Sequence, residues 1–106
     1  MNRYLPEEEK IILNKHLPLI DAAYAVAESA RETLAAAYKL VFTNRLFKRE
    51  STEQGIADAA AYAAAVAARR AAVAAYEAAL DAPHIEIKKA KAAQRKAERL
   101  AKKNRR

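Results

Sequence analysis

Two rows of residues with a spacing of seven constrain this chain most. Ile20, Ala27, Leu34 and Val41 form one, and Ala59, Val66, Val73 and Leu80 form the other. A repeat of seven keeps one stripe of a helix turned toward a neighbour. Each row has a companion, Tyr24, Arg31 and Tyr38 beside the first and Tyr62, Arg69 and Tyr76 beside the second. Folding the chain so that facing residue numbers sum to 100 brings Ile20 to Leu80, Ala27 to Val73, Leu34 to Val66 and Val41 to Ala59. The same register sets Tyr24 at Tyr76, Arg31 at Arg69 and Tyr38 at Tyr62, with its centre at Glu50. An antiparallel helical hairpin is expected.

The rest of the composition agrees. With one glycine and three prolines in 106 residues, the chain has too few breakers for a sandwich, a barrel or a doubly wound sheet. Without cysteine it has no disulfide scaffold and no thiolate chemistry. No apolar run approaches the ~20 residues of a membrane span, and the first residues do not read as a signal peptide. A soluble, cytoplasmic, all-α protein is expected. Its core is thin, because 29 of its 56 hydrophobic residues are alanine. Alanine favours helix strongly but removes little area from water.

Local signals divide the chain further. Pro6 and Glu7–Glu9 suit the start of a short N-terminal helix over 5–17, which Pro18 ends. A long helix over about 19–43 follows, then a turn near Asn44, which tolerates a left-handed conformation. Ser51 and Gln54 fit a capping box for a second long helix over about 52–81. Ala82-Pro83 breaks it, and a third helix covers about 85–103. The chain therefore divides into a body, 1–83, and a basic C-terminal helix, 84–106. Between Ile56 and Leu80 the second long helix is charged only at Asp58, Arg69, Arg70 and Glu77. A helix apolar on nearly every side wants cover on several. This predicts either a three-helix bundle or a homodimeric four-helix bundle.

Charge marks the candidate sites. The last 23 residues hold Lys88, Lys89, Lys91, Arg95, Lys96, Arg99, Lys102, Lys103, Arg105 and Arg106 against Glu86 and Glu98. That segment carries +8, and the body −1, of the net +7. Such a helix, joined by Arg45, Lys48 and Arg49 of the turn, is expected to grip an anionic partner. Nucleic-acid backbone, bound without sequence specificity, fits first. An acidic protein surface is the alternative, with the chain as an adaptor, scaffold or inhibitor. The plainer reading is a solvated tail that aids solubility. A lipid surface is disfavoured, since the segment has no Trp or Phe to insert.

Arg31, Arg69 and Arg70, walled by Tyr24, Tyr38, Tyr62 and Tyr76, form a second candidate, a site for an anion or a partner's carboxylate. The plainer alternative leaves the arginine heads in water, with Glu28 one turn away. Leu46 and Phe47 are expected to plug the end of the hairpin. No catalytic, metal or cofactor residues are expected. Neither His16 nor His84 has a glutamate three residues before it, Ser29 and Ser51 have no nearby base, and one glycine excludes a phosphate loop.

Overall fold

In a computed structural model, which describes residues 7–105, the chain is two long helices, α1 (Glu7–Leu46) and α2 (Glu53–Asn104). They pack antiparallel along one seam. The result is a rod of 82 × 25 × 20 Å with a radius of gyration of 23.6 Å. A compact domain of this length would have a radius of about 13 Å.

The short N-terminal helix and the separate third helix do not exist as such, and with them goes the three-helix bundle. Pro18 lies inside α1 and Pro83 inside α2, and neither breaks its helix. Proline at an interior position removes one backbone bond to the residue four before it. At Pro18 both that partner, Asn14, and the proline are exposed, so the freed carbonyl is on the water side. Pro83 is the largest fully buried side chain, packed in the seam. The two prolines stand at one level of the hairpin, and the next turns there are tied across the seam by His16 and Lys15, both on Glu86. Tertiary packing holds both helices through positions that local preference would end.

The seam register is visible in cross-helix pairs. Tyr24 meets Tyr76 with ring centroids 5.6 Å apart, and Tyr38 meets Tyr62 at 5.9 Å. These pairs sum to 100, as the heptad rows imply. Asn44 with Asp58 and His16 with Glu86 sum to 102. The most buried line on α2 is Asp58, Ala65 and Ala72, one position before the expected row of Ala59, Val66, Val73 and Leu80. Ala59 is exposed and Leu80 is 39% exposed. The reason is size, since small side chains in the middle of the seam let the backbones approach closely and push the larger Val66 and Val73 to its edge. Among the described residues the only buried hydrophobic side chains besides Pro83 are Ala65 and Ala72.

The turn also departs from expectation. Asn44 is helical and buried, and Lys48 takes the left-handed conformation at φ 54°. Arg49 N–H donates to Asn44 O at 2.7 Å and Lys48 N–H to Arg45 O at 3.3 Å, which closes the last turn of α1 as a Schellman motif. Thr52, not Ser51, caps α2, accepting from Gly55 N–H at 3.0 Å. Gln54 reaches forward to Asp58 at 2.8 Å rather than back to the cap. Gly55 sits where the turn folds over α2, and a Cβ there would strike the carbonyl oxygens of Arg49 and Glu50. Leu46 and Phe47 are 64 and 62% exposed and plug nothing. The polar set Asn44, Gln54 and Asp58 closes that end instead.

Candidate functional site

The basic segment is the last five turns of α2. From Lys88 to Arg105 every residue is exposed, and the helix runs without a break to Asn104. Arg106 lies outside the described residues. Lys88, Arg95 and Lys102 fall in one row of spacing seven, and Lys89, Lys96 and Lys103 in another. Members of each row are about 10.5 Å apart along the axis. Arg99 lies on the same side of the helix, between the two rows. The weak apolar line of Ile87, Ala90, Ala97 and Leu100 occupies the other side, continuing the seam.

One of these cations is spoken for. Lys91 Nζ lies 3.6 Å from Glu9, whose side chain is nearly buried. Beyond it, Arg95, Lys96, Arg99, Lys102, Lys103 and Arg105 make no ion pair among the described residues. Glu9 is the most N-terminal residue of α1 seen paired across the seam, so by the register these cations extend past the last observed contact.

Arg45, Lys48 and Arg49 do not join them. They lie at the closed end, about 70 Å along α2 from Arg99. Arg49 covers the Phe47 ring at 5.1 Å. The two basic clusters occupy opposite ends of the rod.

The arginine and tyrosine candidates come together in part. The tyrosine pairs face each other as described, with Arg31 and Arg69 between them in register. Arg31 turns to Glu28 on its own helix, at 3.3 Å, with both side chains exposed. Arg69 and Arg70 have no acidic partner among the described residues, and with Leu34, Tyr62, Val66 and Val73 they line a shallow groove of about 550 Å3.

Sequence reasoning missed the cluster at the open end. Glu86 accepts from Lys15 Nζ at 2.8 Å and from His16 Nε2 at 2.9 Å. The hydrogen bond from His16 first, and that from Lys15 second, hold its carboxyl below the usual carboxylate range. The signal was in the register, since 16 and 86 face each other once the two helices run through Pro18 and Pro83.

The class defined by this geometry is an all-α antiparallel hairpin, and no helix among the described residues is long and apolar enough to cross a membrane. No protein-family model, no curated protein and no solved structure matches the chain.

Proposed function

We propose that this is a non-enzymatic binding protein whose basic helix engages an anionic partner, and that nucleic-acid backbone is the partner its chemistry fits best. The observation that carries the reading is the exposed run from Arg95 to Arg105, six cations against Glu98, with no ion pair to consume them among the described residues. A rigid helix bearing fixed cations releases counterions from a phosphate chain without paying to order a tail. The segment holds no aromatic, so it has nothing to stack on bases, and binding is indifferent to sequence.

The test uses the full chain with Arg95, Lys96, Arg99, Lys102 and Lys103 changed to Gln. Fluorescence anisotropy on a mixed-sequence duplex is read at low and physiological salt. Five phosphate contacts predict a loss of roughly 500-fold in affinity between 50 and 200 mM salt, absent in the variant. Affinity that ignores both salt and the substitutions overturns the reading.

A second reading is an adaptor docking on an acidic protein surface. Leu100 and Ile85, 51 and 53% exposed, favour it, because apolar groups are idle against phosphate. Leu100→Ser separates the two, lowering affinity for a protein partner and leaving that for a duplex unchanged.

A further inference from the structure

The basic end of α2 has cations and no rings. One side of the hairpin has both, in alternation. Along α1 a row of spacing seven reads Tyr24, Arg31, Tyr38 and Arg45. Tyr76, Arg69 and Tyr62 answer the first three from α2, the tyrosines in ring contact across the seam. Each tyrosine layer is a platform. Tyr24 and Tyr38 are 51 and 52% exposed, and the rings of Tyr76 and Tyr62 stand tilted against them at 59° and 51°. Phe42, 48% exposed, stacks on Tyr38 with centroids 6.1 Å apart and extends that layer. A ring already held by a neighbour offers its open face at little cost in lost freedom.

The groove of about 550 Å3 described above lies between the two layers, lined by Val66 and Val73 together with Arg69 and Arg70. Neither arginine has an acidic partner among the described residues. Two acids stand near: Glu28, engaged by Arg31, and Glu77, which lines the groove. We propose that this side of the hairpin binds single-stranded nucleic acid. Unpaired bases stack on Tyr24 and on Tyr38 with Phe42, and the phosphates between them reach Arg31, Arg69 and Arg70. The layers are about 21 Å apart along the axis, which suits a site of about four nucleotides.

The chemistry of the side selects this occupant. A carboxylate would use the arginines and leave the rings idle. An apolar helix would use the rings and strip water from unpaired arginines, which is costly. A duplex keeps its bases stacked on each other and has no free faces to give. An unpaired strand brings flat faces and negative charges in alternation, as the layers require. The other flank of α1 sets the contrast, since Leu19, Val26, Thr33 and Leu40 are exposed at the same spacing with neither a ring nor a cation among them. Arg69 lies about 45 Å along α2 from Arg99, so this site is separate from the basic end and does not rest on what that end binds.

The test reads tyrosine fluorescence of the full chain, which has no tryptophan and keeps four of its five tyrosines in these two layers. Oligothymidylate and oligouridylate are titrated into wild type and into the variant with Arg95, Lys96, Arg99, Lys102 and Lys103 changed to Gln, which takes the basic end out of the measurement. Either strand should quench the tyrosines in both proteins, and a duplex of the same length should not. Anisotropy of a labelled strand then follows further variants. Arg69→Gln with Arg70→Gln should flatten the log–log salt slope by about 1.4. Tyr24→Leu with Tyr38→Leu keeps apolar bulk against the seam, removes two stacking faces and should weaken binding about 100-fold. Tyr24→Phe with Tyr38→Phe keeps the rings and should keep the affinity. Circular dichroism should show the same helix content in each. Absence of quenching overturns the proposal, as does equal quenching by duplex, affinity that ignores both the Leu and the Gln pairs, or polyglutamate binding as tightly as the strands. Quenching that persists while the basic end fails to bind duplex would sink the reading of that end and leave this one standing.

Discussion

Asn44 of α1 donates from Nδ2 to Asp58 Oδ2 of α2 at 2.8 Å, and both side chains are buried at the closed end of the hairpin. Gln54 Nε2 donates to the other carboxylate oxygen, Asp58 Oδ1, at 2.8 Å. Among the described residues this is the one hydrogen bond across the seam in which both side chains are buried, and it pins the register where apolar contacts would allow slip. Asn44→Ala leaves a buried carboxylate short of a donor and should cost about 2–3 kcal/mol. Urea denaturation checks it, and the double variant with Asp58→Ala should recover part of the loss. An unchanged midpoint would show that the pair does not hold the register.

The turn offers a stabilising change and a damaging one. Lys48 holds a left-handed conformation that only glycine adopts freely. Lys48→Gly should therefore raise stability by about 0.5–1 kcal/mol. Gly55→Ala drives a methyl group into the carbonyls of Arg49 and Glu50 and should cost ~2 kcal/mol. Thermal melts of the two variants should move in opposite directions.

The prolines should respond unequally. Pro18→Ala restores a backbone bond at an exposed position and should gain about 2 kcal/mol. Pro83→Ala restores a bond too, but it empties the most buried site of the seam. Its net change should be within roughly 1 kcal/mol of zero. Equal gains at both positions would mean that Pro83 contributes nothing by its packing.

Acid should loosen the open end. Glu86 has its pKa lowered in the fold by His16 and then by Lys15. A carboxylate depressed in this way contributes stability above its unfolded pKa. That contribution falls away as pH drops through the lowered folded value. The difference in thermal midpoint between wild type and Glu86→Gln should be largest near neutrality. It should shrink below the usual carboxylate range and close at still lower pH. A difference that stays constant with pH would place the effect in packing rather than in charge.

Much of this fold was legible from spacing alone. Helical periodicity is a local property, and the rows at 20–41 and 59–80, with Tyr24 against Tyr76 and Tyr38 against Tyr62, carry both the hairpin and its register. The basic run after Lys88 was equally plain, because charge needs no fold to be counted. Its separation from Arg45, Lys48 and Arg49 was not, because the distance between two clusters exists only once the rod is built. Pro18 and Pro83 read as breaks because their cost is local, while what offsets it is contact with the other helix.

The turn of one position in the seam, the cap at Thr52, the buried Asn44 and the exposed Phe47 share that cause. Each depends on how closely two backbones approach, and with alanine between them that distance is set by the pair. Residue order determined which segments are helical and which stretches oppose each other. Tertiary structure decided where the helices end, which atoms are sealed from water and which charges remain to meet a partner, because those follow from three-dimensional distance rather than from separation along the chain.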